Sequence, residues 1–284
     1  MSPGASTEPQ TDPLARLAEL PGVPAAVAGV REAVDAVYGH RVMRRRSPEV
    51  SAEAALRGAR ASAALAGADW ALEEVRRRAD FGGDEEARTV GAALRTTAEA
   101  AESLGVWRAS PLRVLARLHL VAAGGPGAGA EGDRIGRPRL AGEPVHEPGL
   151  AALPPAPGVD EVAARLEALA GHVVAGSAAP ALVTAAVAHG ELLALRPFVS
   201  HNGLVARAVA RLVLVGGGLD PKAVTPIEVG HAEQGRESYL AALDGYLTGT
   251  MAGVAGWIAH CARAAELGAR ESVAVCEALQ RGAA

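Results

Sequence analysis

Apolar residues recur along most of this chain at spacings of three and four, the period of one face of an α-helix. Val27, Val30, Val34 and Val37 form the first clear stripe. They lie in a helical run from Pro13 to Tyr38 that Pro21-Gly22-Val23-Pro24 interrupts. Ser47-Pro48 predicts an N-cap followed by proline at the first helical position, with Glu49 and Glu53 in the opening turns. The helix it starts passes through Leu56 and Leu65. A second is predicted from about Trp70 to the paired glycines after Phe81, and a third from Asp84 to Leu104. A fourth, opened by Ser110-Pro111, includes Leu112, Leu115, Leu118 and Leu120. Helices resume from Val159 to Val174 and from Ala181 to Leu195. An apolar run from Val205 to Val215 follows, and Thr225-Pro226-Ile227-Glu228 has the pattern of a capping box. Two or three more helices, through Tyr239, Leu243, Trp257 and Val275, close the chain.

Two segments carry no period. Residues 1–12 are rich in Ser, Thr, Pro and Gln and predict a disordered tail. Residues 124–158 are dominated by Gly and Pro, and a loop of that length inside a domain is either functional or disordered. Within it, residues 133–145 allow at most one short β-hairpin, which Pro138 and Pro144 would restrict to an edge ribbon. The pattern therefore predicts an all-α protein: a helical N-terminal extension over 13–107, then a core over 108–284 with the long loop and closing C-terminal helices.

Composition sharpens this. The chain is 49% hydrophobic but only 3% aromatic, so its core is built from Ala, Leu and Val, which suit closely packed helices. Lys222 is the single lysine among 28 basic residues, and the net charge is −4, so no basic field exists to attract nucleic acid. Four arginines between Arg41 and Arg46 form either a solvated turn or a contact for an acidic partner or phosphate. Cys261 and Cys276 stand apart from any metal-ligand spacing; they predict buried thiols and no metal site. No apolar secretory segment or membrane span is predicted, which points to the cytoplasm. A homo-oligomer is left open.

The candidate chemistry lies in Arg196-Pro197-Phe198-Val199-Ser200-His201-Asn202-Gly203-Leu204-Val205-Ala206-Arg207, between two apolar helices. Proline and an Asn-Gly pair mark a tight connection whose backbone N–H groups converge at the start of the second helix. Orphan donors and the helix dipole make such a place attractive to anions.

This stretch resembles the catalytic loop of the Fic (Fido) family, His-Pro-Phe-x-Asp/Glu-Gly-Asn-Gly-Arg-x-x-Arg. Pro197, Phe198, Asn202, Gly203 and Arg207 match it. The order of helices and loop is also similar from about residue 45 to 270. The resemblance implies a Fic-like helical fold and, in an intact member, transfer of AMP from ATP to a protein hydroxyl. Here the family's base is replaced by Arg196, its metal-binding acid by Ser200, its first Gly by His201 and its first Arg by Leu204. An arginine stays protonated near neutral pH and cannot accept the hydroxyl proton, a service worth about 10²–10⁴-fold in rate. Ser200 is a poor ligand for Mg²⁺.

Ser62-Ala63-Ala64-Leu65-Ala66-Gly67 resembles the family's inhibitory helix, Ser/Thr-x-x-x-Glu-Gly/Asn, with Ala66 at the acid's position. Loss of both Ala66's acid and its expected partner at Leu204 predicts an uncharged contact between that helix and the loop. The resemblance thus implies a degenerate member without AMP transfer. Arg196, Ser200, His201, Asn202, Gly203 and Arg207 are its nucleotide- or phosphate-binding candidates, with ATP or another nucleotide as ligand and no Mg²⁺. A transferase with His201 as substitute base, and a purely structural or interaction module with a protein partner at flap residues 133–145, are the other two readings.

Overall fold

The computed structural model describes residues 12–125 and 132–282. Most of the tail, residues 1–11, and residues 126–131 of the long loop lie outside them. Asp12 is described: its carboxylate accepts from the N–H of Leu14 at 3.0 Å and, through its other oxygen, from Ala178 at 2.8 Å.

That carboxylate caps α1 (Pro13–Leu17). There follow α2 (Val23–Gly39), α3 (Met43–Leu65), α4 (Leu72–Arg77), α5 (Glu85–Glu102), α6 (Leu104–Trp107) and α7 (Pro111–Ala123). After the loop come α8 (Val159–Ala175), α9 (Ala181–Leu195), α10 (Asn202–Gly216), α11 (Ile227–Glu233), α12 (Arg236–Leu247) and α13 (Met251–Gln280). No strand occurs among the described residues, and no helix among them is long and apolar enough to cross a membrane. The protein is all-α.

The apolar stripes explain the packing. Val30, Val34 and Val37 of α2 are buried, and α2 lies along the 30-residue α13. Helices α9 and α10 form the centre. Thirteen of the fifteen residues of α10 are buried, as expected of a helix covered on every side. Val30, Leu65, Ala100 and Trp107 of the extension join Leu118, Leu193 and Val209 in one hydrophobic core. Close approach of α11 to α13 depends on Gly230, whose added Cβ would stand 1.9 Å from the carbonyl oxygen of Ala264.

Several local expectations are corrected. Helix α3 bends at Arg46 (φ −123°, ψ 23°), so the Ser47-Pro48 signal marks a kink within a longer helix. The helix expected from Trp70 shrinks to six residues, because Trp70 turns inward and Arg78 lies over its ring at 4.5 Å. Ser110 makes no side-chain cap bond to α7. The capping box at Thr225 does not form: Pro226 occupies the cap position of α11, and no side chain bonds there. Asp220 instead accepts from the N–H groups of Val224 and Thr225, at 3.0 and 2.7 Å. Glu228 turns into the core to meet Arg211 at 3.3 Å, since a buried guanidinium competes better for a carboxylate than a helix end does. Residues 133–145 make no hairpin. Their backbone docks on the loop between α9 and α10, with Arg139 N–H donating to Pro197 O at 2.8 Å; just beyond them, His146 N–H donates to Val199 O at 2.7 Å.

Candidate functional site

The α9–α10 connection is short because both helices are already buried up to its edges. Arg196 takes left-handed backbone angles (φ 43°) and ends α9; His201 does the same (φ 59°) and stands at the start of α10. Asn202 then locks the turn. Its side-chain oxygen accepts from Phe198 N–H and its amide donates to Phe198 O, both at 2.9 Å. Phe198 is buried and stacks on His119 with ring centres 4.1 Å apart.

His201 provides no side-chain bond to the N-terminus of α10. The anion-binding position there is taken by a residue of the long loop. Glu147 accepts from Asn202 N–H at 2.8 Å, from Gly203 N–H at 3.3 Å and from the Asn202 amide at 3.2 Å. Burial raises the affinity of the Glu147 carboxyl for a proton, while these donors and Arg207 oppose that shift. Gly203 eases the fit: a Cβ there would crowd the Arg207 guanidinium at 3.1 Å and the Glu147 carboxylate at 3.3 Å.

Arg207, 2% exposed, points from α10 to α3. It donates to the Ser62 hydroxyl at 2.8 Å and to Ser62 O at 2.9 Å. Leu204 packs with Ala59 and Ala63, and half-buried Ala66 borders the same cluster. Gly67 follows with φ 109°, ending the segment. The helix that resembles an inhibitory element therefore meets the loop through Ser62 and apolar side chains.

Beside the loop is a cavity of about 520 Å³, lined by Arg139, His146, Glu147, Leu153 and Arg196. Arg196 donates to Pro154 O at 2.6 Å, and its Nε, buried, has no partner. Arg139 donates to Arg196 O at 3.0 Å and to Pro157 O. Burial lowers the proton affinity of both guanidiniums, and at Arg196 the charge of Arg139 adds to this. Neither guanidinium is within ion-pair distance of a carboxylate among the described residues, but Glu143 and Glu147 line the same cavity, so its wall carries charges of both signs.

Ser200 and His201 are engaged with each other, Ser200 Oγ and His201 Nδ1 lying 2.8 Å apart. Burial, assisted by Arg95 and His146, pushes His201 down to about 4. Burial and the neighbouring His201 push His119 down to about 3. Both are uncharged in the folded protein above about pH 5, whereas unfolded histidine protonates near pH 6.5. The unfolded state then binds more protons, so stability is expected to fall as pH drops below about 6.5. Each histidine contributes up to about 1.4 kcal/mol per pH unit until its folded value is reached. Urea unfolding from pH 7 to 5 measures the slope, and imidazole NMR signals of His119 and His201 should stay flat over the same range.

Of the residues singled out in the sequence, the structure gathers Ser62, Arg196, Ser200, His201, Asn202, Gly203 and Arg207 around one loop. Glu147 was missed, and Arg139 was expected only as a residue of the flap over 133–145. Both lie in the aperiodic segment, where only charged residues in a Gly/Pro-rich stretch mark a candidate role.

A buried helical pair joined by an Asn-locked turn, clasped on one side by α3 and on the other by a long loop, is a recurrent architecture. It is the Fic fold. A Fic family protein from Desulfovibrio desulfuricans superposes with a TM-score of 0.69 at 22% identity, covering 90% of this chain and 75% of that one. Fic-1 from C. elegans gives 0.61 at 16% identity, covering 89% and 72%. A Fic domain-containing signaling protein from Bacteroides thetaiotaomicron gives 0.58 at 12% identity, covering 89% and 97%. No family profile and no curated protein sequence matches the chain.

Proposed function

We propose that this Fic-fold protein binds a phosphate-bearing ligand, a nucleotide being the best-fitting class, and does not transfer AMP. The carrying observation is the pair Arg139 and Arg196, both under 10% exposed and neither in an ion pair among the described residues, lining a cavity beside the end of α10, where a ligand anion would compete with Glu147 for the N–H groups. Phosphate oxygens would offset the mutual repulsion of the two guanidiniums.

Three features speak against transfer. Arg196 stands where the family's loop has its base and carries a permanent charge. His201 binds a proton too weakly to draw one from a hydroxyl near neutral pH. Ser200 supplies no carboxylate for a divalent cation.

Calorimetry with ATP, ADP and AMP, with and without Mg²⁺, tests this reading. Binding that does not require Mg²⁺, and that weakens at least tenfold in Arg196→Ala and Arg139→Ala, is the expected result. No heat with any of the three, or labelled AMP appearing on protein, would reject it. A protein partner at residues 133–145 is a second reading, favoured by Leu140, which is 58% exposed on that segment.

A further inference from the structure

Behind the loop, away from the cavity, α9, α11 and α13 bring three side chains together that are scattered in sequence. His189, His231 and Cys261 each offer a ligand atom within 4.8 Å of the others. All three are buried, the two histidines completely.

The ring nitrogens divide cleanly. His189 Nε2 lies 2.8 Å from the Tyr239 hydroxyl, and His231 Nδ1 lies 3.2 Å from His260 Nε2. The opposite nitrogens, His189 Nδ1 and His231 Nε2, are buried and have no partner. An unpartnered buried polar atom is costly, and two in one cluster favour an occupant that both can bind. A small cavity borders them, lined by His189, His231, Cys261 and otherwise by apolar residues such as Leu182, Ala210 and Ile227. Its volume of about 10 Å³ for the centre of a water-sized sphere suits a single ion.

We infer that His189, His231 and Cys261 form a binding site for one thiophilic metal ion, and that monovalent copper is the ion it fits. Two imidazoles and a thiolate are ligands that copper(I) and zinc share. Charge separates the two. On binding, the Cys261 thiol proton leaves to solvent, and Cu⁺, one thiolate and two neutral imidazoles sum to zero. Zn²⁺ would leave one positive charge in an apolar pocket, where an unpaired charge is strongly disfavoured. The outer bonds of Tyr239 and His260 hold the imidazoles in orientation, as hydrogen bonds to the far nitrogen do in metal sites generally. Metal–ligand bonds of about 2.0–2.3 Å require the three side chains to close in by roughly 1 Å from their present spacing.

The test uses the whole chain, reduced and under anaerobic conditions. Copper(I) is offered in competition with the chromophoric chelator bicinchoninate, and zinc in a parallel titration with a zinc-binding dye. One equivalent of copper(I) should be withdrawn, with X-ray absorption reporting one sulfur and two nitrogen neighbours. Cys261→Ser should weaken the competition at least a hundredfold. Cys276→Ser should not, because Cys276 lies in a separate cluster. If Cys261→Ser does not fold, the thermal midpoint of the unaltered protein decides, since an ion bound only by the folded state must raise it. Failure to withdraw copper, withdrawal unaffected by Cys261→Ser, no rise in midpoint, or preferential uptake of zinc would each overturn the assignment.

Discussion

Replacing Glu228 with alanine is expected to remove about 3–5 kcal/mol of folding stability, because it leaves the Arg211 guanidinium charged and unpaired inside the protein. The pair is almost fully enclosed: the Arg211 and Glu228 side chains are 6% and 2% exposed, at 3.3 Å. Arg211 also donates to Ala223 O at 2.7 Å, a residue held at φ 52°, so the ion pair anchors the strained turn between α10 and α11. For a chain of this size the loss corresponds to a fall in thermal midpoint on the order of 10 °C. Calorimetric or circular-dichroism melts of Glu228→Ala measure it. The paired change Arg211→Met with Glu228→Leu should recover most of the loss, since removing both charges also removes their desolvation cost. A single variant within about 1 kcal/mol of the parent would show that water reaches the pair.

The same carboxylate illustrates what sequence could reveal. Thr225 to Glu228 has the spacing of a capping box, and the local pattern carries no sign that an arginine seventeen positions earlier will claim the glutamate. Local bonds are legible; competition from a distant partner is not. By contrast, the limits of α9 were readable because a mostly apolar run, broken only by Thr184, His189, Gly190 and Glu191, stops just before Pro197, which cannot continue a helix. The loop's polar residues were readable for the same reason, being isolated between two buried helices.

Their chemistry was less legible. His201 has an ordinary imidazole in the sequence, and only its surroundings remove its basicity. Arg207 was a phosphate candidate, yet it spends its donors on Ser62, a contact of |i−j| = 145. Glu147 comes from a segment whose Gly and Pro content conceals any period, although its backbone neighbours follow the loop closely. The histidines of the buried cluster sit on different helices, and no spacing rule connects positions 189, 231 and 261. Each failure has one cause: the decisive contact joins parts of the chain far apart in sequence.

Glu147 leads to the second large effect. Changing it to alanine is expected to strengthen binding of inorganic phosphate and of nucleotides by about ten- to a hundredfold. In the parent protein its carboxylate holds the N–H groups of Asn202 and Gly203, so an anion must first displace it. A hydrogen bond to a charged group is worth about 1.5–3 kcal/mol, and each 1.4 kcal/mol is about tenfold in affinity. The donors stay in place without Glu147, because the turn is locked by the two bonds between Asn202 and Phe198. Folding stability should fall by only about 1 kcal/mol, as for loss of an ordinary helix cap. Glu147→Gln should fall between the two, since a neutral amide oxygen can accept from the same donors but competes less well with phosphate. Calorimetry on the three proteins, run with phosphate alone and with ATP, separates the possibilities. Equal affinity in parent and Glu147→Ala would mean that ligands bind without touching the α10 terminus. A gain for ATP that is absent for phosphate would mean instead that the opened space, rather than the freed donors, admits the ligand.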